Sequence, residues 1–88
     1  MENLNSMQKS NVINIVKEIL ETELRHGNFE IRDDLTAKDV EGWDSLTHMA
    51  IIVAIEDKFN IKFKLKELNK LANLGTLISL IQSKLQDS

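Results

Sequence analysis

Gly42-Trp43-Asp44-Ser45-Leu46-Thr47-His48-Met49-Ala50-Ile51-Ile52-Val53-Ala54-Ile55-Glu56-Asp57-Lys58-Phe59 is the stretch whose reading decides the fold. From Met49 to Ile55 every residue is apolar, which fits a buried strand or a buried helix equally well. The polar flanks Thr47-His48 and Glu56-Asp57-Lys58 favour helix and lengthen the segment past an ordinary strand, so it is read as helical. Asp44 or Ser45 can accept a hydrogen bond from the free amides of a first turn. The helix is therefore expected to start there, run to about Phe59 and end at Asn60. A helix apolar on every face needs cover on more than one side, and the rest of the chain must supply it.

Upstream, Val12, Val16, Ile19, Leu20 and Leu24 recur at three- and four-residue spacing, with Lys17, Glu18, Glu21 and Arg25 on the opposite face; this predicts a first helix. His26 is placed in its last turn, and Gly27 followed by Asn28 is expected to take the left-handed conformation that stops it. From Asn28 to Asp44 the period is lost, yet Phe29, Ile31, Leu35, Val40 and Trp43 keep this long loop pinned to a core. Thr36 with Asp39 three residues later predicts one short capped turn inside it. Asp33, Asp34, Asp39, Glu41 and Asp44 outnumber Arg32 and Lys38 there, so the chain is acidic where it enters the second helix. Downstream, a short third helix is expected from about Leu65 to Lys70. Asn73 is a good N-cap for a last helix in which Leu74, Leu77, Ile78, Ile81 and Leu85 share one face. With no proline and three glycines, the fold class is all-α: four helices, a long loop between the first two, and a short third. Residues 1–9 are read as a flexible N-terminal arm and residues 10–86 as one domain.

Eighty-eight residues leave room for one modest core. The chain has 42% hydrophobic and 28% charged residues and no apolar run near the length of a membrane span, so it is expected to be soluble and unanchored. Met1-Glu2-Asn3-Leu4-Asn5-Ser6 carries neither the basic patch nor the apolar stretch of a signal peptide, which points to the cytoplasm. A net charge of −3 argues against nucleic acid as the main partner. The chain has no cysteine, so any thiol chemistry must come from an attached group. Its two histidines fall in different segments, so no metal site is expected.

The chemistry centres on Asp44-Ser45-Leu46. A serine hydroxyl at a helix N-terminus sits beside unpaired amides and the positive end of the macrodipole, where a phosphodiester built on that oxygen is electrostatically favoured. Taken alone, the tripeptide reads more simply as a helix cap. It does not stand alone. From about Val12 to Leu85 the chain resembles the acyl carrier protein family: Gly42, Asp44, Ser45 and Leu46 match its Gly-x-Asp-Ser-Leu motif, Met49 the following valine, Glu56 the acidic residue ending helix two, and Phe59 its aromatic. Asn73-Leu74-Gly75 looks like the start of its last helix. The resemblance implies a four-helix bundle over residues 10–86 and no catalytic activity. It further implies 4'-phosphopantetheine from coenzyme A attached to Ser45 by a phosphopantetheinyl transferase, with Asp44 and Leu46 beside the attachment point. The thiol of that arm holds an acyl or aminoacyl group as a thioester, which supplies what a cysteine-free chain lacks, and loading and transfer enzymes are the implied partners. Such carriers are usually monomers.

Docking by resemblance involves helix two, through Thr47, Met49, Ala50, Glu56 and Asp57, in contacts weak enough to release after each step. Thr47 and Ala50 stand where fatty-acid-synthesis carriers usually have acidic residues. Lys58, Lys62, Lys64, Lys66 and Lys70 face a lone Glu67 where such carriers are commonly acidic. A plain solvated face is the simpler reading of the lysines and a different partner set the sharper one; together with the thinned acidic face of helix two, the departures point to a specialised pathway such as polyketide, peptide or surface-glycan acylation. The family can shelter an acyl chain between helices two and three, where Ile51, Ile55, Phe63, Leu68 and Leu71 would line the gap. These side chains are large enough to fill it as ordinary core, which suits a short or polar cargo left in solvent. Trp43 is expected to anchor the loop. Two rival readings of the same residues exist. A hydrolase built on Asp44, Ser45 and His48 lacks the strained elbow and a route from Asp44 to the far imidazole nitrogen. A non-catalytic interaction module would use the apolar helix-two face.

Overall fold

The computed structural model describes residues 8–87. Residues 1–7, nearly all of the segment read as an arm, lie outside them. Helix α1 (Lys9–Leu24) is followed by a single 3-10 turn (Ala37–Asp39), α2 (Ser45–Phe59), a four-residue α3 (Leu65–Leu68) and α4 (Leu74–Asp87), with no strand among the described residues. Helix α1 thus takes in Lys9, the last residue assigned to the arm, and α4 runs one residue past the expected domain end.

The periodic side chains became the core. Val12, Val16, Ile19, Leu20 and Leu24 are the buried side of α1, and Leu74, Leu77, Ile78, Ile81 and Leu85 that of α4. Helix α1 packs against both α2 and α4. In α2 the burial falls on Ile51, Ile52, Ile55 and Phe59. Met49 and Val53 remain 48% and 51% exposed, so the run that is apolar on every face is covered on one side and left open on the other.

The cap residues act as their chemistry predicts. Asp44 accepts the Thr47 amide at 2.9 Å, and Asn73 accepts the Thr76 amide at 2.9 Å through its side-chain oxygen. Asn60 closes α2 in the left-handed conformation, φ 56°. The Ile61 amide reaches back to the Glu56 carbonyl at 3.1 Å, the longer bond of a Schellman ending. Inside the long loop the Thr36–Asp39 box forms, with the Thr36 amide donating to the Asp39 carboxylate at 3.1 Å.

The end of α1 corrects the sequence reading. The helix stops at Leu24, and Arg25 takes the left-handed conformation, φ 66°; Gly27 does not. The reason lies in His26. Its Nε2 is 2.7 Å from the Glu41 carbonyl, and its Nδ1 accepts the Asn28 amide at 3.0 Å. A His26 still in the helix would point along it and miss both. The early stop therefore ties the end of α1 to the residue just before Gly42. In its middle the loop is fixed to α4. The Leu74 amide donates to the Leu35 carbonyl at 2.8 Å and the Gly75 amide to the Asp33 carbonyl at 2.9 Å, so two of the four orphan donors of that helix are used to hold the loop.

Candidate functional site

Gly42 has φ +85°, a backbone region that side chains other than glycine's rarely adopt. This bend, with the Asp44 amide 3.2 Å from the Gly42 carbonyl, swings the chain into α2. Asp44 becomes the N-cap in extended backbone conformation. Its carboxyl is held below the usual carboxylate range, first by the Thr47 backbone amide and then by the Thr47 hydroxyl, since hydrogen bonds to the ionised form favour it.

Because Asp44 takes the cap, Ser45 does not. Ser45 is the first residue of α2 and exposed, and its hydroxyl has no hydrogen-bond partner among the described residues. Leu46 beside it is 82% exposed. A groove of about 400 Å³ opens next to Ser45, bordered by Ala37, Trp43, Asp44, His48 and Met49. Trp43 packs against the core, as expected of an anchor, and also does something the sequence did not suggest. Its indole N–H donates to His48 Nδ1 at 3.1 Å, and the two rings lie near-parallel with centroids 6.2 Å apart and 27° between planes. The hydrolase reading fails on this geometry. The Asp44 carboxylate is turned to Thr47, and Trp43 occupies the imidazole nitrogen that a triad aspartate would need. Among the described residues no group of three or more acidic, histidine or cysteine side chains gathers in a way that could hold a metal ion.

The residues expected to dock partners do not all share one surface. Met49, Ala50 and Asp57 lie exposed on α2 and Thr47 is half-buried. Glu56 is half-buried with its carboxylate accepting the Phe63 amide at 2.8 Å, so it fastens the segment after α2. Val53, not foreseen, completes an apolar stripe with Leu46 and Met49 at helical spacing. The gap between α2 and α3 is filled: Ile51 and Ile55 are fully buried, and Phe63, Leu68 and Leu71 pack against the same core. A cavity of about 70 Å³ lies nearer Trp43 and His48, walled by Leu35, Leu71, Leu74 and Leu77 among others. Of the five residues expected to line a cargo pocket, Leu71 alone borders it.

A family model described as "Phosphopantetheine attachment site" matches residues 12–81. The chain belongs to this phosphopantetheine-binding acyl carrier family. It is 33% identical over 79 residues to an acyl carrier protein of an Exiguobacterium species, covering 90% of this chain and 100% of that one. It is 28% identical over 68 residues to one from Wolinella succinogenes, covering 77% and 90%. A solution NMR structure of a holo acyl carrier protein from Geobacter metallireducens matches with TM-score 0.81 at 34% identity, covering 86% of this chain and 87% of that chain. The protein is thus a non-catalytic carrier of covalently bound phosphopantetheine, working with transferases and biosynthetic enzymes. Among the described residues no helix is long and apolar enough to cross a membrane.

The residues present fit such a group. It needs an exposed, unengaged hydroxyl, free backbone donors close by and room for a chain to leave the surface. Ser45 offers the hydroxyl, the first turn of α2 the amides, and the groove beside it the room. When bound, the group supplies a terminal thiol for thioester formation.

Proposed function

We propose that Ser45 is the attachment site and that the chain serves a specialised biosynthetic pathway in the cytoplasm rather than housekeeping fatty-acid synthesis. The observation that carries the attachment is the division between two neighbours: Asp44 caps α2 and leaves the Ser45 hydroxyl exposed and unengaged. Asp44 and Leu46 flank it, one electrostatically and one as an exposed apolar handle for the transferase. The pathway reading rests on the surface of α2. Between Leu46 and Val53 that surface has no acidic residue, Glu56 is engaged with Phe63, and Asp57 alone projects a free carboxylate. Lys62, Lys64, Lys66 and Lys70 are exposed nearby. A partner with a strongly basic dock would find little here, whereas one reading Leu46, Met49 and Val53 would find a continuous stripe. The filled gap between α2 and α3 favours a short or polar acyl group that stays outside the protein.

Intact mass before and after incubation with coenzyme A and a broad-specificity phosphopantetheinyl transferase tests the attachment. The wild type is expected to gain one arm and Ser45→Ala none, with both folded by circular dichroism. A gain in the alanine variant, or none in the wild type, would overturn it. Acylated wild type is then offered to a housekeeping fatty-acid ketosynthase. Slow transfer relative to that enzyme's own carrier is expected, and equal rates would refute the specialised reading.

A further inference from the structure

We infer that His48, held by Trp43, is a phosphate-binding residue whose Nε2–H donates to a non-bridging oxygen of the phosphodiester on Ser45; this rests on Ser45 as the attachment site. The tautomer follows from the partner. An indole nitrogen can only donate, so the 3.1 Å contact from Trp43 Nε1 requires a lone pair on His48 Nδ1 and places the ring hydrogen on Nε2. The hydrogen bond and the near-parallel setting of the two rings, 27° apart, orient the imidazole as well. The direction follows from the helix. Side chains lean toward the N-terminus of their own helix, and residues three apart are neighbours, so His48 lies over the turn that begins with Ser45. Both residues border the same groove.

Nε2 has no partner among the described residues and is reached by solvent, so it is free to take a ligand. Asp44 also consumes the Thr47 amide. A phosphate on Ser45 therefore meets a helix terminus short of one free donor and a neighbouring carboxylate of its own sign. A side-chain donor from the next turn replaces the missing amide. Trp43 is then a positioning residue: it makes no contact with the phosphate and sets which nitrogen is offered.

Holo protein labelled with nitrogen-15 histidine is the sample, with loading confirmed by intact mass. A wild type that takes no arm refutes the attachment at Ser45, whereas a loaded one isolates the histidine. The His48 Nε2 resonance is expected to move between apo and holo protein while Nδ1 stays in place, and this readout needs no variant. The phosphorus-31 resonance of loaded His48→Ala is expected to shift from wild type toward that of the urea-unfolded holo protein, where the same phosphodiester has lost its surroundings, and His48→Gln, which keeps an N–H donor, to recover part of the difference. Trp43→Phe is expected to give a smaller phosphorus shift in the same sense as His48→Ala. An Nε2 resonance unchanged on loading, or phosphorus resonances that coincide in loaded wild type and His48→Ala, would overturn the inference.

Discussion

Replacing Gly75 by alanine asks how firmly the loop before the site is moored to α4. A Cβ at that position would lie 2.9 Å from Asp33 Cβ, 3.0 Å from Asp33 O and 3.2 Å from Asp33 Cα. None of these is the far end of a flexible side chain. Relief means moving the loop backbone away from α4, which stretches the Leu74–Leu35 and Gly75–Asp33 hydrogen bonds, now 2.8 and 2.9 Å. Helix propensity alone argues the other way, since alanine in place of glycine within a helix gains about 0.5–1 kcal/mol. Overpacking a well-filled contact costs about 1–3 kcal/mol, and each weakened hydrogen bond up to about 1 kcal/mol more. The losses win, and the expected net destabilisation is about 1–3 kcal/mol on those figures. Urea unfolding followed by helical circular dichroism should show a lower midpoint with an unchanged slope. The melting temperature should fall by roughly 4–8 °C per kcal/mol for a domain of this size. A midpoint at or above that of wild type would mean that propensity prevailed, and would refute the picture of α4 and the loop in rigid backbone contact.

Two other outcomes follow from solvent-accessible side chains. The carboxyls of Asp44 and Glu67 both lie below their ordinary values, Asp44 through the Thr47 amide and Glu67 chiefly through the Lys84 ammonium and then the Lys64 amide. A depressed carboxyl stabilises the fold fully above its unfolded value and loses that contribution as pH falls through the folded one. Unfolding midpoints should therefore hold steady near neutrality and drop below about pH 4. Asp44→Asn with Glu67→Gln should flatten that drop, and identical profiles for the double variant and wild type would count against the assignment. Leu46→Ser and Met49→Ser change exposed side chains, so stability should move by less than about 0.5 kcal/mol while turnover with acyl-transfer partners falls several-fold. Full turnover in both would remove the α2 stripe from the docking surface.

Short-range chemistry made most of this legible in advance. The five spaced residues of α1 and the five of α4 are the buried ones because amphipathic period and burial are the same constraint. Asn60 and Asn73 cap as expected, and Asp44 takes the cap that the sequence left open between it and Ser45, because capping is settled within one turn. What escaped the sequence depends on contacts between distant segments. Arg25, rather than Gly27, ends α1 because His26 is claimed by Glu41, across the loop. Nothing local announces that Gly75 must meet Asp33. Three-residue spacing on one helix makes His48 look like a base for Ser45. That Trp43 folds back over the cap to take its Nδ1 depends on the bend at Gly42, which spacing alone does not reveal.

The separation of the cap at Asp44 from the hydroxyl at Ser45 has a thermodynamic corollary. Had the serine oxygen been the cap, esterifying it would have removed an acceptor on which α2 depends, and folding and modification would have been coupled, each shifting the equilibrium of the other. With the cap one residue upstream, the acceptor that holds α2 persists whether or not the hydroxyl is substituted. Apo and holo chains then differ in unfolding free energy only by what the phosphate itself gains at the helix terminus and from His48 and loses beside Asp44. A transferase can act on the finished fold, and removal of the arm returns the same fold ready for reloading.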